Sequence, residues 1–154
     1  MLQTGKKGWM VNIYFCGSIR GGRQLASTYE KIIGMLGEYG QVLTEYLGDD
    51  DEITDRDATL SDREIHDRDL KWIMESDLVI AEVTIPSLGV GYEIGRAIEY
   101  RKPVLCLYQD SSDEKLSAMI AGSPNVELYH YADAEGLSGP LHRFMSRNAV
   151  HRTS

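Results

Sequence analysis

The chain has 154 residues, a formal net charge of −8 and a pI of about 4.9, and 42% of its residues are hydrophobic. This length and composition favour one globular domain with a full core. The acidic balance argues against a nucleic-acid polymer as partner, because gripping that backbone requires clustered Lys and Arg. No apolar run approaches the roughly 18 residues of a membrane span. The two cysteines lack a Cys-x-x-Cys spacing, which argues against a zinc site and a disulfide framework.

Strand and helix patterns alternate along the chain from residue 11. Apolar runs predict the strands, apolar spacing of three and four residues predicts the helices, and Ser61 with Glu64 forms a capping box. In chain order, the predicted elements are a strand over 11–16, a loop over 17–22, a helix over 24–39 ended by Gly40, a strand over 41–47, an acidic loop over 48–55, a helix over 61–76, a strand over 78–83, a helix that carries Glu93 and runs to 100, a strand over 103–108, a short helix over 113–121, a weak strand over 126–129, and a helix over 133–147 interrupted by Gly139 and Pro140.

This alternation predicts an α/β fold, a flavodoxin-like (Rossmann-like) five-stranded parallel sheet flanked by helices, with the first strand central. We expect a flexible lead-in over 1–10, a single catalytic domain over 11–148 and a disordered tail over 149–154. Lys6 and Lys7 are not followed by the apolar segment of a secretory signal. The protein is therefore expected in the cytoplasm, with the nucleus also open, and neither secreted nor bound to a membrane.

Glu93 follows a strand and a small-residue loop that contains Gly89 and Gly91. In a parallel sheet this order predicts a carboxylate in the first turn of a helix, at the carboxyl ends of the strands, where ligands bind. Glycines there let a substrate come close to the backbone. Glu93 is thus a candidate nucleophile. The alternative is that it only favours the positive N-terminus of the helix.

The loop over 17–23 combines glycines, a serine and two arginines at the start of a predicted helix, which is typical of an anion site. It is neither a Walker A loop nor a Rossmann Gly-x-Gly-x-x-Gly. A simple glycine-rich turn with surface arginines is the alternative. Tyr14, three residues earlier, is either a core residue or a hydroxyl that reaches the ligand. Cys16 and Cys106 lie in strand patterns and are expected to be buried small hydrophobes.

Asp69 precedes an apolar stretch on its helix, and helical spacing places Asp62 and His66 on the same face. A metal at His66 is the less favoured interpretation, since isolated histidines on helices are mostly surface residues. For the acidic loop over 48–55, a cation site is less favoured than a solvated loop. Asp69 and Glu93 could instead pair as acid and nucleophile, the combination that glycosyl cleavage needs.

Four segments, over 14–23, 81–84, 86–96 and 116–120, together resemble the 2′-deoxynucleoside 5′-phosphate N-hydrolases of the nucleoside 2-deoxyribosyltransferase superfamily. The resemblance runs from about residue 12 to 131. It implies a flavodoxin-like homodimer that hydrolyses a deoxynucleoside monophosphate to a free base and 2-deoxyribose 5-phosphate. It implies no cofactor and no metal.

The resemblance also implies roles for individual residues. Glu93 matches the nucleophile, Asp69 the carboxylate that assists the base, and Tyr14 the active-site tyrosine. Ser117 matches a phosphate contact that comes from the neighbouring subunit. The full set of matched substrate and phosphate positions is Gly17, Ser18, Ile19, Arg20, Gly21, Gly22, Arg23, Ser87, Gly89, Ser117, Ala118 and Met119.

Three alternatives remain open at this stage. A deoxyribosyltransferase would pass the sugar to a second base instead of water. A ribonucleotide N-glycosidase of the CMP-cleaving type would differ at the 2′-carbon. A nucleotide-sensing module would keep the fold without catalysis, although the pair of Asp69 and Glu93 argues against it, since a pure binder gains little from an unpaired buried carboxylate.

Overall fold

The computed structural model describes residues 11–19, 25–49, 53, 57–110, 112–113 and 115–148. Within these, a five-stranded parallel sheet has the order β2-β1-β3-β4-β5. This order confirms the predicted flavodoxin-like fold, and the chain changes direction of winding between β1 and β3. As expected, β1 is an interior strand, while β3 occupies the middle of the sheet. The strands are β1 Val11–Cys16, β2 Gly40–Val42, β3 Leu78–Glu82, β4 Val104–Gln109 and β5 Glu127–Tyr131.

The connections between strands carry helices, as a parallel sheet requires. The predicted capping box is confirmed, because the Ser61 hydroxyl accepts from the Glu64 amide at 3.2 Å while the Glu64 carboxylate accepts from the Ser61 amide at 2.7 Å. None of the helices in the described ranges is long and apolar enough to cross a bilayer. The helices are α1 Ala26–Leu36, α2 Asp62–Glu75, α3 Leu88–Glu99, α4 Ala118–Ala121 and α5 Ser138–Asn148.

The first two boundaries differ from the sequence prediction. The helix expected to reach residue 39 ends at Leu36, so that Gly40 lies in β2 and does not cap the helix. The strand expected over 41–47 ends at Val42, and a 3-10 turn follows over Glu45–Gly48. Thr44 causes this early end, because its hydroxyl donates to the Phe15 carbonyl at 2.6 Å and accepts from the Phe15 amide at 3.0 Å. The side chain replaces the backbone pairing that a longer strand would make.

The carboxyl-terminal third shows similar differences. The helix expected over 113–121 is the single turn α4, which begins after Ser117. The helix expected over 133–147 is a 3-10 turn over Ala134–Leu137 followed by α5. Pro140 lies in the first turn of α5, where a missing N–H removes no intrahelical bond. Pro140 therefore marks the start of the helix and does not interrupt it.

The core divides into two clusters, one on each face of the sheet. On one face Ile13 and Phe15 of β1 pack with apolar residues of α1 and α5. On the other face Tyr14 and Cys16 pack with residues of α2 and α3, including Ile94. Because side chains alternate along a strand, Tyr14 and Cys16 both point towards the helix that carries Glu93. The expected lead-in over 1–10 and tail over 149–154 lie outside the described residues.

Candidate active site

Glu93 lies at the carboxyl end of the sheet, but not where the sequence placed it. Helix α3 begins at Leu88 after the N-cap Ser87, so Glu93 is in the second turn and the expectation of a first-turn position is wrong. The field of a helix N-terminus falls off within the first turn. A role for Glu93 in merely complementing the helix dipole therefore loses its basis.

The two carboxylates that the sequence indicated, Asp69 and Glu93, line the same pocket. Asp69 comes from α2 and Glu93 from α3, and the space between these helices has a volume of about 190 Å³. Asp62 and His66 line it as well, as their helical spacing predicted. No three His, Cys, Asp or Glu side chains of the described ranges are grouped so that they could hold a metal ion. The pocket is lined by Asp62, Ile65, His66, Asp69, Leu70, Gly89, Tyr92 and Glu93.

The surroundings of Glu93 make its carboxyl a weaker acid than that of an exposed glutamate. Burial raises the pKa of its carboxyl to about 7, and the nearby Asp69 carboxylate raises it as well. Two hydrogen bonds act in the opposite direction, one from the Cys16 thiol and one from the Tyr14 hydroxyl, because they stabilise the ionised form. Glu93 is thus a carboxyl that titrates near neutral pH.

Tyr14 belongs both to the core and to the candidate site, while contact of its hydroxyl with a ligand stays a prediction. It is a core residue, only 2% exposed, and its hydroxyl nevertheless hydrogen-bonds Glu93. Burial, with the Glu93 charge next in size, raises the pKa of Tyr14 and that of Cys16 well above their usual values, so both groups stay protonated donors. This role of Cys16 was not predicted from the sequence. The signal was available, since Cys16 is two residues after Tyr14 on the same face of β1.

Asp69 is in a different environment. Burial raises the pKa of its carboxyl, and the Arg68 guanidinium opposes that rise through a hydrogen bond and its charge. The Arg68 Nε lies 2.9 Å from the Asp69 Oδ1. Arg68 was not predicted as a site residue from the sequence.

The rim of the pocket is built from polar aromatic contacts. The His66 Nε2 lies 2.9 Å from the Tyr92 hydroxyl, which joins α2 to α3 beside the pocket. The other ring nitrogen of His66 lies 2.8 Å from a carboxylate oxygen of Asp67. Arg96 approaches the same Tyr92 hydroxyl at 3.4 Å and donates to the Tyr100 hydroxyl at 2.6 Å.

The predicted anion loop is described only at its beginning. A side chain at Gly17 would come within 2.7 Å of the Tyr29 ring, so this position requires glycine for packing. Ser18 is buried, and Ile19 packs against the core. The remaining residues of this prediction, Arg20, Gly21, Gly22 and Arg23, lie outside the described residues.

A second and larger cavity, of about 650 Å³, lies on another side of α3 and is lined by two of the predicted phosphate serines, Ser87 and Ser117. Ser87 caps α3 by accepting from the Val90 amide at 3.3 Å, and Ser117 caps α4 by accepting from the Met119 amide at 3.2 Å. Both serines and Met119 line this cavity, whereas Gly89 lines the carboxylate pocket.

The structure of one chain thus brings Asp69, Glu93 and Tyr14 together, and separately brings Ser87 and Ser117 together. Ala118 is exposed next to Ser117. Within a single chain, Ser117 lines the larger cavity and not the carboxylate pocket.

Comparison with known proteins matches most of the chain. The family model for nucleoside 2-deoxyribosyltransferases matches residues 13–133. A candidate 2′-deoxynucleoside 5′-phosphate N-hydrolase of Nematostella vectensis is 55% identical over 114 residues, which is 73% of this chain and 78% of that protein. The 5-hydroxymethyl-dUMP N-hydrolase of Mus musculus is 47% identical over 137 residues, which is 86% of this chain and 79% of that protein.

A solved structure agrees with the fold. The CMP N-glycosidase of Clostridium botulinum superposes with a TM-score of 0.64 and 22% sequence identity, over 86% of this chain and 98% of that one. At this identity the likeness concerns the fold, and it matches the five-stranded parallel sheet described above. The matched span and the identities to its relatives establish that the chain belongs to the nucleoside 2-deoxyribosyltransferase family.

Proposed function

We propose that this protein hydrolyses the N-glycosidic bond of 2′-deoxynucleoside 5′-monophosphates, and that it forms a covalent deoxyribosyl intermediate on Glu93. Family membership, with relatives named as nucleotide N-hydrolases, makes the chain an enzyme that acts on the N-glycosidic bonds of nucleotides. The finer statement rests on one observation, the convergence of Asp69 and Glu93 on one pocket at the carboxyl end of the sheet.

The first step breaks the bond between C1′ and the base nitrogen. A Glu93 carboxylate oxygen bonds to C1′ as the base leaves, and Asp69 gives its proton to the departing base. Tyr14 and Cys16 hold the attacking carboxylate by hydrogen bonds. Because Asp69 and Glu93 are partly buried, charge that develops on the sugar beside them is stabilised more strongly than in solution.

The second step releases the sugar. Asp69, now ionised, takes a proton from a water molecule whose oxygen bonds to C1′ while the ester bond to Glu93 breaks. The products are the free base and 2-deoxyribose 5-phosphate, and both carboxyls return to their starting protonation. No cofactor takes part in this scheme.

The 5′-phosphate is proposed to bind at the helix N-termini. Ser87 uses its oxygen as acceptor for the Val90 amide, which leaves its hydroxyl proton for a phosphate oxygen. Gly89, in the same first turn of α3, brings backbone close to the ligand without a side chain. Gly17, Ser18 and Ile19 start the second proposed phosphate loop. Binding of the phosphate would orient the sugar for attack.

We further propose a homodimer in which the partner supplies Ser117. Leu88 is 97% exposed and Met119 is 82% exposed in the single chain, and both border the apolar cavity of about 650 Å³. Large apolar side chains clustered in water are typical of an interaction surface. Ser117 does not reach the carboxylate pocket of its own chain, which supports a contribution to the pocket of a second copy.

A mixing experiment tests this arrangement. Glu93→Ala chains mixed with Ser117→Ala chains should regain activity at low substrate, because one site of each mixed dimer then has both residues intact. If Ser117 served its own chain, no site in the mixture would be intact and activity would stay at the level of the separate variants. Analytical ultracentrifugation of each variant confirms that dimers form.

One observation favours exchanging the roles of the two carboxyls. The Arg68 cation favours ionised Asp69, although burial raises the pKa of that carboxyl, and burial raises the pKa of Glu93 to about 7, which favours a protonated Glu93. Asp69 would then attack and Glu93 would protonate the base. In the favoured assignment, ionised Glu93 faces the positive charge that develops at C1′, and the proton that leaves with the base comes from Asp69.

Azide rescue separates the two assignments. In Glu93→Ala, azide can occupy the vacated space and attack C1′ directly, which gives the inverted sugar azide if Glu93 is the nucleophile. In Asp69→Ala, azide attacks the covalent intermediate and gives the azide with retained configuration. The reverse pattern would assign attack to Asp69. Turnover that survives in both variants without azide would refute the proposed function itself.

Product analysis tests the substrate class. Incubation with dGMP, 5-hydroxymethyl-dUMP, GMP and deoxyguanosine, each with and without a second free base, should release base from the deoxynucleoside monophosphates alone. Base exchange would indicate a transferase, and release from GMP a ribonucleotide glycosidase. The absence of any product would favour a nucleotide-sensing module.

A further inference from the structure

Arg68 and Asp69 are consecutive residues on α2, yet their side chains are hydrogen-bonded. Consecutive residues on a helix point in directions about 100° apart and do not normally face one another. The Arg68 side chain is therefore held towards Asp69 by further contacts of its guanidinium group.

Three groups hold it. The Nη1 of Arg68 donates to the Asp57 carboxylate at 2.8 Å, and the Nη2 donates to the Tyr46 hydroxyl at 2.8 Å. The guanidinium also lies over the Trp72 ring, with its central carbon 4.9 Å from the ring centroid. Every guanidinium nitrogen is thus engaged, and the side chain is 18% exposed. This planar arrangement requires the fork geometry of arginine.

The consequence for Asp69 is geometric. Arg68 fixes Oδ1, and no hydrogen bond to Oδ2 from the described residues is present. One carboxylate oxygen is anchored, and the other remains to carry a proton to the leaving base. A carboxyl held by one oxygen keeps the orientation that proton transfer requires.

The consequence for charge follows from what faces Asp69. Asp57 and Glu93 bring negative charge, whereas Arg68 is permanently cationic and lowers the pKa of both Asp69 and Glu93. His66 of α2 is a weaker positive influence on Asp69. The titratable and charged groups that interact with Asp69 are Arg68 and His66 from α2, Asp57, Tyr46 from the 3-10 turn, Tyr14 and Cys16 from β1, and Glu93 from α3.

We propose that Arg68 is a positioning residue for the reaction, which orients Asp69 by one oxygen and offsets the negative charge of the Asp69 and Glu93 pair. This inference rests on the proposed function, in which both carboxyls act on the substrate. Arg68, which Asp57, Tyr46 and Trp72 hold in place, thus supports the acid Asp69 and is not one of the solvated charges of the helix.

The test compares Arg68→Met with Arg63→Met, an exposed arginine on the same helix. kcat and KM for dGMP hydrolysis are measured across the pH profile. In the proposed mechanism its acid limb reports the ionisation of Glu93, and its basic limb reports the ionisation of Asp69. Arg68→Met should lower kcat about 100-fold, as expected for a displaced catalytic group, with little change in KM. Both limbs should move to higher pH, because loss of the cation raises the pKa of both carboxyls. Arg63→Met should match the parent.

Two conservative variants make the test specific. Arg68→Lys keeps the charge and should return the limbs to the parent positions while kcat recovers only in part, because one ammonium cannot form the fork. Asp57→Asn keeps an acceptor for Arg68 but removes a charge that raises the pKa of Asp69. The limb that reports Asp69 should then move to lower pH, opposite to the shift in Arg68→Met.

The outcomes separate cleanly. Opposite limb shifts in the Arg68→Met and Asp57→Asn variants support the inference. A loss of kcat with both limbs unmoved in every variant, accompanied by a lower unfolding midpoint, would mean that Arg68 is only structural. Should Arg68→Met not fold, the lysine and asparagine variants still decide. If Glu93→Ala and Asp69→Ala both retain turnover, the proposed function fails first, which is a different result.

Discussion

The hydrogen bond from Tyr14 to Glu93 gives a measurable link between the core and the reaction. Tyr14→Phe removes a donor to a carboxylate, a bond worth about 1.5–3 kcal/mol when one partner is charged. That energy corresponds to an about 10- to 100-fold change in proton affinity. The pKa of Glu93, already raised to about 7 by burial, should therefore rise further by about one to two pH units.

The sign of the effect defines the assay. If Glu93 must be ionised, kcat/KM falls as pH decreases below its pKa, and the acid limb of the parent should lie near neutral pH. In Tyr14→Phe this limb should move to higher pH, so that the loss of rate is greatest on the acid side of the profile. Tyr131→Phe, which changes another buried strand tyrosine in the cluster on the opposite face, is the matched control. A Tyr14→Phe variant that is equally impaired at all pH values, with its limb unmoved, would refute this reasoning.

Two further predictions concern stability. Glu82 is fully buried, burial raises its pKa to about 7 from an ordinary 4.5, and its carboxylate accepts from the Thr84 amide at 2.8 Å and from the Thr84 hydroxyl. The folded state binds this proton more tightly than the unfolded state, so the free energy of unfolding falls as pH rises from about 4.5 to above 7. In denaturant titrations at several pH values, Glu82→Gln should reduce that fall by about 3 kcal/mol. An unchanged pH dependence would show that Glu82 ionises freely. Gly40→Ala would place a Cβ 2.0 Å from the Val11 carbonyl oxygen and should lower the free energy of unfolding by at least about 2 kcal/mol. Gly34→Ala, with open space around it in α1, should raise that free energy by about 0.5–1 kcal/mol. Equal effects of the two variants would contradict the tight pairing of β1 and β2.

The fold was predictable from local patterns, because each strand and helix of this sheet carries its own signal. Apolar runs located the five strands, and the capping box located the start of α2 at Ser61. The early end of β2 was not predictable, since it depends on a hydroxyl of Thr44 that bonds the backbone of Phe15 on another strand. Such long-range side-chain bonds leave no periodicity in the sequence.

The candidate site shows the same division. Asp69 and Glu93 were identifiable because each stands next to an apolar stretch or a glycine-rich loop. Arg68 was not, because its contacts with Tyr46 and Asp57 come from a segment that is separate in sequence. Cys16 lies between these cases. Its alternation with Tyr14 placed it on the correct face, but its bond to Glu93 depends on where the second turn of α3 lies.

Helix α3 connects the chemistry to the proposed assembly. One side of it, with Gly89 and Glu93, lines the carboxylate pocket, and another, with Leu88 and Ile94, lines the apolar cavity. Ser117, which caps α4, lines the apolar cavity and not the carboxylate pocket of its own chain. This separation is the reason for proposing that a second copy supplies Ser117 to the carboxylates. Leu88, 97% exposed at the first position of the same helix, is an apolar side chain that the proposed dimer would cover.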